Sequence, residues 1–215
     1  MTKVPFILVP LALTATFAAA EPTGYVQAGL LATTQPAGTP NHRVSPALSG
    51  TTVGLTAAGG VFVTRTLAIE GEVVAGRSIS TPQRFFYNWS EDYTAESRDV
   101  FLVGNVRWRP AAARHLELVG GGGLAFSTVA NRNIVRTDYY PAPHTSPEPD
   151  QVETSRQPAL NGGAAVPLSL GTRIEVVPAV TVRWVKRPSY YGLGAYAGVG
   201  SYAYQFGATV RFSLD

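Results

Sequence analysis

The segment YAYQFGATVRF runs from Tyr202 to Phe212, close to the C-terminal end of the sequence. Large apolar residues occupy most of its even positions, and small or polar residues occupy the odd ones. Because successive side chains of a β-strand point to opposite faces, this period of two gives one apolar and one polar face. Aromatic residues stand at both ends of the apolar row, which is typical of a lipid-facing strand with an aromatic girdle at each interface. The segment therefore predicts a strand of a membrane-spanning β-barrel.

Residues 1–20 predict a secretory signal peptide. Lys3 supplies a short positive region, residues 4–17 are mainly apolar, and residues 18–20 form a small-residue cleavage site. The apolar run is too short to cross about 30 Å of hydrocarbon as a helix. We therefore expect the signal peptide to be cleaved and residues 21–215 to form one barrel domain.

The composition favours an exported, membrane-embedded β protein. The chain has no cysteine, so disulfides do not stabilise it. Charged residues make up 14% of the sequence, compared with about 25% in soluble domains. The net charge of +3 is small and its arginines are scattered, which argues against a nucleic-acid partner. His42 and His115 are isolated, and no residues show metal-ligand spacing, so we expect neither a metal nor a cofactor.

Eight segments alternate with a period of two between turn residues. They are residues 23–33, 50–64, 67–80, 97–109, 115–129, 155–168, 173–187 and 201–213. They predict an all-β fold, an eight-stranded antiparallel up-and-down transmembrane β-barrel. Pro158, Gly162, Gly163 and Pro167 weaken the sixth segment. Four glycines, residues 120–123, are predicted to bend the fifth segment, with close packing as the alternative.

The connections between these segments alternate in length. Residues 34–49, 81–96 and 130–154 form long connections, residues 188–200 form one of medium length, and the others are short. This alternation predicts extended loops at one end of the barrel and tight turns at the other. Short turns of outer-membrane barrels face the periplasm, so both chain termini are expected on that side.

Nearly every charged residue in these segments lies on the less apolar face. An eight-stranded barrel has a lumen that side chains just fill, and each charge placed there needs a partner. Arginine suits this role because its guanidinium binds a carboxylate through two hydrogen bonds. We therefore predict a charge-paired, largely plugged lumen formed by Glu70, Glu72, Arg107, Glu117, Glu175, Arg183 and Arg211.

Two enzymatic alternatives arise from the same residues. Glu70 with Glu72, or Glu117 with Glu175, would be a catalytic carboxylate pair, but a similar number of arginines favours neutralisation. The stretch 144–146 matches the His-x-Ser pair of lipid A-modifying barrel enzymes. It lies in a proline-dense, polyproline-like loop, whereas a nucleophile needs its base held within hydrogen-bond reach. We therefore assign no catalytic residue.

The final segment also matches the pattern by which outer-membrane proteins are recognised for assembly. Its polar, glycine and two hydrophobic positions are Gln205, Gly207, Val210 and Phe212, although residues 213–215 follow the terminal aromatic. With the signal peptide and the alternating connections, the chain resembles the small eight-stranded outer-membrane barrels of Gram-negative bacteria, the OmpA/OmpX/OmpW-like superfamily. The resemblance implies a monomer in the bacterial outer membrane, with lipid, lipopolysaccharide and the outer-membrane assembly machinery as partners.

Aromatic residues gather in the predicted loops. They are either a binding surface for an external ligand or an interfacial belt near the headgroups. The leading hypothesis is a non-enzymatic barrel with a structural or surface-interaction role. A small-solute or hydrophobic-ligand channel of the OmpW type is the alternative, and a lipid A-modifying enzyme comes third. The loop aromatics are Phe85, Phe86, Tyr87, Trp89, Tyr93, Tyr139, Tyr140, Tyr190 and Tyr191.

Overall fold

The structure is a computed structural model that describes residues 23–36, 44–45, 49–86, 89–113, 115–140, 142–186 and 201–214. These residues form one antiparallel sheet of 12 strands. They include no helix that is long and apolar enough to cross a membrane. The predicted signal peptide, residues 1–20, lies outside the described residues.

Eight of the 12 strands close into a ring. In ring order these are β1, β3, β4, β6, β7, β9, β11 and β12, and β12 pairs back with β1. Ring neighbours are also neighbours along the chain, and every pairing is antiparallel, so the predicted eight-stranded up-and-down barrel is confirmed. The strands are β1 (Gly24–Gln35), β2 (Val44–Ser45), β3 (Gly50–Phe62), β4 (Leu67–Gly76), β5 (Ile79–Phe86), β6 (Trp89–Trp108), β7 (Glu117–Asp138), β8 (His144–Glu148), β9 (Gln151–Ala165), β10 (Leu168–Ser169), β11 (Ile174–Val185) and β12 (Tyr202–Leu214).

The outer surface of the ring is an apolar band. Alternate residues of each ring strand point outward, and on β12 Phe206 and Phe212 are 52% and 45% exposed. Within the described part of the ring strands, no acidic or basic side chain points outward between the short-turn end and a rim at Arg77, Arg98 and Arg156. Between the short-turn end and this rim, the ring strands therefore carry their charges on the inner face, as the period of two requires.

Two of the predicted long loops are not loops. Residues 81–96 and 130–154 were expected to be irregular, but β6 and β7 have 20 and 22 residues and stay paired from Trp108–Leu118 to Trp89–Asp138. β5 pairs with β6, and β8 pairs with β7. We call the described residues 79–86, 89–97, 129–140 and 142–151 the β extension. It extends roughly 25 Å along the strands beyond the ring, from about eight extra residues per strand.

A separate apolar cluster explains why these residues form strands. Its buried members come from β5, β6 and β7, and Trp89 packs against them. Burial of such side chains stabilises the extended hairpin independently of the barrel interior. The cluster consists of Ile79, Phe85, Tyr93, Ala95, Val129 and Ile134.

The four glycines 120–123 lie inside β7 and leave its pairing intact. A Cβ on Gly121 would collide with the carbonyl oxygen of Gly104, and one on Gly123 would collide with that of Leu102. β7 nevertheless pairs with β6 and β9 through this stretch without a register shift. The structure therefore supports close packing of the strands and does not show the predicted bend as a break in β7.

Candidate functional site

The inner face of the ring holds a network of paired charges. Four glutamates and four arginines form this network, and their formal charges sum to zero; Asp99 of β6 also points inward, nearer the β extension. Seven of the eight are the predicted residues, and Arg109 completes the set. Arg109 has the same parity on its segment as Arg107, which is the signal that places it inside. The set is Glu70, Glu72, Glu117, Glu175, Arg107, Arg109, Arg183 and Arg211.

Glu117, at the start of β7, lies at the centre of this network. It is fully buried, and its carboxylate accepts hydrogen bonds from three guanidinium groups. Arg211 donates from Nη1 at 2.7 Å and from Nη2 at 2.8 Å, Arg107 donates at 3.1 Å, and Arg109 donates at 2.7 Å. Glu175, nearer the short-turn rim, accepts from Arg109 and Arg211, each at 2.9 Å. Three arginines therefore share two carboxylates at this end of the lumen.

Glu70, on β4, lies one layer further into the lumen. Arg107 binds it through two hydrogen bonds, from Nε at 2.8 Å and from Nη2 at 3.0 Å. The Tyr25 hydroxyl donates to the same carboxylate at 3.0 Å, Gln27 donates at 2.8 Å, and Asn105 donates at 3.0 Å. Tyr25 was not identified from the sequence as a member of this network, although it shares the parity of Gln27 on β1.

Glu72 forms the innermost layer of the network. It accepts hydrogen bonds from Arg183 at 2.9 Å, from Asn105 at 3.0 Å and from Thr56 at 2.9 Å. Arg183 also donates to the side-chain carbonyl of Gln205. Each of the four glutamates of the network is thus bound by at least one arginine. This is the geometry of neutralised ion pairs and does not resemble a general acid and base with separated pKa values.

Little open space remains among these side chains. A cavity of about 50 Å³ adjoins Glu72, Arg183 and Gln205. Among the described residues, Arg183 Nη1 and Asn161 Oδ1 are buried without a hydrogen-bond partner. The cavity has room for a few water molecules, whereas pockets for small organic ligands have volumes of about 300 Å³ or more.

The predicted assembly residues lie on both faces of β12. Gln205 is buried in the lumen against Arg183, and Val210 and Phe212 point outward with 40% and 45% exposure. A Cβ on Gly207 would collide with the neighbouring backbone of β1. Their recognition by the assembly machinery stays a prediction.

The β extension divides the predicted loop aromatics into two groups. Phe85 and Tyr93 are buried strand residues, so the prediction that they are exposed loop side chains is wrong; both belong to the apolar cluster. Trp89 is partly buried and its ring centroid lies 5.0 Å from that of Phe85. Tyr139 and Tyr140 are exposed, Tyr140 to 90%. Outside the described part lie the side chain of Phe86 and the residues Tyr87, Tyr190 and Tyr191.

The stretch around His144 is a strand, so its prediction as a polyproline-like loop is wrong. β7 continues far enough to offer a pairing edge, and β8 places His144 opposite Asp138 and Ser146 opposite Arg136. His144 is exposed and Ser146 is intermediate. In the described residues, no group of three or more His, Cys, Asp and Glu side chains could hold a metal ion.

Charged pairs cover the surface of the β extension. Arg84 binds Asp92 through two hydrogen bonds, and this bonding lowers the pKa of the Asp92 carboxyl. Burial raises the pKa of the neighbouring Glu91 above its usual value. Arg132 binds Glu96 at 2.9 Å. The extension is therefore a polar, hydrogen-bonded surface over a small apolar cluster.

The fold and the interior together define a class: a closed, eight-stranded antiparallel barrel with an apolar exterior and a charge-filled lumen. No protein-family model matches the chain, and no curated protein matches it. The fold resembles solved structures of small outer-membrane barrels. Neisserial surface protein A shares 12% identity over 89% of this chain and 97% of that chain, with a TM-score of 0.44. Ail of Yersinia pestis shares 10% sequence identity over 90% of this chain and 100% of that chain, with a TM-score of 0.45. OprG of Pseudomonas aeruginosa shares 13% sequence identity over 88% of this chain and 96% of that chain, with a TM-score of 0.46.

Proposed function

We propose that this protein is a non-enzymatic integral barrel of the bacterial outer membrane, with a closed lumen, that holds the β extension at the cell surface as an interaction platform. The observation that carries the proposal is the charge-free apolar band around the ring.

The apolar band fits a bilayer and would be costly in water. Leu30 and Leu55 are 60% and 64% exposed, and comparable side chains lie on all eight ring strands. Soluble monomers rarely expose a contiguous apolar patch larger than a few hundred Å². The 12 or 13 residues of β1, β3, β11 and β12 span about 30 Å at 3.3 Å per residue and a tilt near 40°, which is close to the hydrocarbon thickness.

The filled lumen favours a structural role over transport. Glu117 and Arg211 are 0% and 1% exposed, and their ion pair crosses the lumen from β7 to β12. Moving these charges apart would leave at least one of them buried without its partner, which is strongly unfavourable. Thermal opening of the network wide enough for a solute is therefore rare.

The β extension is the natural place for contacts outside the cell. It lies at the long-connection end, which faces the exterior in outer-membrane barrels. It exposes Tyr139 and Tyr140, and tyrosine is enriched among residues that dominate protein interfaces. Its paired charges favour selective contacts with a polar partner.

The membrane assignment is tested by folding and mobility. The mature chain, refolded into lipid vesicles, should stay folded in SDS until boiled and should change its gel mobility on boiling. A matched control is a Leu102→Arg variant, which places a charge in the middle of the outer band and should fold into vesicles less completely. A wild-type chain that stays monodisperse in buffer without detergent and shows no mobility change would refute the proposal.

A small-solute channel is the second candidate. It is favoured by the cavity beside Arg183, whose Nη1 lacks a partner, because a hydrated cavity is a start toward a continuous water path. Planar-bilayer recordings decide between the two. A closed lumen predicts negligible conductance for the wild type and higher conductance for a Glu72→Ala/Arg183→Ala double variant. Steady conductance of the wild type, unchanged in the variant, would favour the channel.

A further inference from the structure

Two arginines stand side by side on the outer surface of the barrel, where the apolar band ends. The register of β4 against β6 places Ala75 opposite Val100. Arg77, which follows the end of β4, and Arg98 of β6 are both exposed, and both line one groove on the outer surface. The backbone N–H of Arg77 donates to the carbonyl of Val53 at 3.1 Å, which fixes its chain position.

Among the described residues, neither arginine has an acidic partner. No ion pair or side-chain hydrogen bond joins Arg77 or Arg98 to another described residue, and both are exposed. Like charges facing each other across two strands are destabilising. In the β extension, by contrast, arginines have acidic partners, as Arg84 has Asp92 and Arg132 has Glu96. An anion bound between Arg77 and Arg98 would relieve the repulsion of their charges.

The groove beneath the two guanidinium groups is apolar. Leu30, Val53 and Leu55 form one side, and the small side chain of Ala75 together with Gly76 leaves the recess open. Its volume is about 510 Å³. The outward side chains along this groove are therefore hydrocarbon on the membrane side and cationic at the rim.

We propose that Arg77, Arg98 and this groove bind a phosphate-bearing lipid of the outer leaflet, with the phosphate between the arginines and an acyl chain in the recess. The proposal rests on the proposed function, because it needs the apolar band to lie in the outer membrane. The planar guanidinium forks match phosphate oxygens, and two of them suit a group carrying up to two negative charges. Arginines at the rim with apolar residues on the membrane side are complementary to a phosphorylated lipid, whose phosphate lies at the leaflet surface and whose acyl chains lie in the hydrocarbon.

The test compares two double variants that lose the same charge. Arg77→Gln/Arg98→Gln removes the pair. Arg65→Gln/Arg156→Gln removes one arginine from the opposite, short-turn end and one from another part of the rim. Native mass spectrometry of the detergent-solubilised barrel measures binding of diphosphoryl lipid A and of the same lipid without its phosphates. Inorganic phosphate serves as a soluble competitor.

For the wild type we expect one tightly retained lipid A and at least roughly tenfold weaker binding of the phosphate-free lipid. The Arg77→Gln/Arg98→Gln variant should lose this preference, whereas the control variant should stay within about twofold of the wild type. Weak displacement by inorganic phosphate is expected, because the acyl chain contributes to binding.

Equal loss in both double variants would overturn the site, since a general charge effect would then explain it. Equal binding of the two lipids by the wild type would overturn it as well, and full displacement by inorganic phosphate would assign the site to the free anion. Gel mobility of every sample separates the two proposals. A normal boiling-dependent shift without selective lipid binding refutes only the lipid site, and absence of the shift refutes the membrane assignment.

Discussion

Replacing Glu117 by glutamine tests the lumen network at its most connected point. The change keeps the shape of the side chain but removes the charge that Arg107, Arg109 and Arg211 share. Removing one partner of a buried ion pair costs about 3–5 kcal/mol. Arg109 and Arg211 retain Glu175, each at 2.9 Å, so we expect the lower end of that range, about 3 kcal/mol.

The assay is reversible urea unfolding of the barrel in lipid vesicles, followed by tryptophan fluorescence. The free energy difference is the shift in the unfolding midpoint multiplied by the slope of the transition. Glu175→Gln is the matched control, because its side chain is 20% exposed at the rim and water can replace part of its bonding. We expect it to cost about 1 kcal/mol. The double variant Glu117→Gln/Arg109→Gln restores neutrality and should recover part of the loss.

The reasoning fails if Glu117→Gln costs no more than Glu175→Gln, since burial and three arginine partners would then carry no weight. A loss of unfolding free energy in the double variant equal to the sum of the losses in the two single variants would also refute the network. Charges that share a network are expected to couple by roughly 0.5–3 kcal/mol. A midpoint shift with an altered slope would show instead that the folded ensemble itself had changed.

Four further expectations concern other parts of the chain. Gly121→Ala should destabilise the barrel by about 1–3 kcal/mol by collision with β6, whereas Gly120→Ala, with open space around its Cβ, should change the unfolding free energy by less than about 1 kcal/mol. Leu102→Arg, on the outer band, should lower the unfolding free energy in vesicles by about 2–4 kcal/mol. The same variant should fold into short-chain detergent with nearly the efficiency of the wild type. Glu91→Gln should slow amide hydrogen exchange in the β extension at pH 7, because a raised pKa makes the ionised form unfavourable above that pKa, and the effect should vanish at acid pH. Asp92→Asn should speed amide hydrogen exchange in the β extension at pH 7, since the lowered pKa of Asp92 contributes stability that is lost only as the pH falls below about 4. A change of exchange rate in the same direction for both variants would contradict the opposite pKa shifts of Glu91 and Asp92.

The ring could be predicted from the sequence because a closed barrel enforces a strict period of two. Residues of one parity on a strand face the lumen and residues of the other parity face outward, so Arg183 and Arg211 could be placed inside before any contact was known. The identity of the partners could not be predicted in this way. Glu117 binds Arg211, which is 94 residues distant in sequence, and such pairing depends on the order and stagger of all eight strands.

The strands of the β extension were not predicted from the sequence because their alternation of buried and exposed residues is irregular. The register between β6 and β7 shifts between Asp92 and Thr94, so the buried face changes parity there. Asn133 has a φ of 53°, a left-handed conformation that breaks the alternation on β7. Both faces of the extension also carry polar residues, because only a small apolar cluster is buried there. In the sequence, the glycine and proline residues therefore indicated loops more strongly than the weak alternation indicated strands. In the fold, pairing with neighbouring strands stabilises these segments as strands.

The continuity of β6 and β7 links the closed lumen to the proposed surface role. The same two strands carry Arg107 and Glu117 in the lumen and end at Trp89 and Asp138 at the tip of the extension. A partner that binds the tip therefore meets a hydrogen-bonded sheet held by the lumen ion pairs, where an ordinary barrel would present a flexible loop. Binding to such a surface loses less conformational entropy than the ordering of a loop of the same length, so a small contact area can suffice for specific attachment. In the proposed function, the buried charges contribute to binding outside the cell by holding β6 and β7 together at their barrel ends, through the Arg107–Glu117 ion pair.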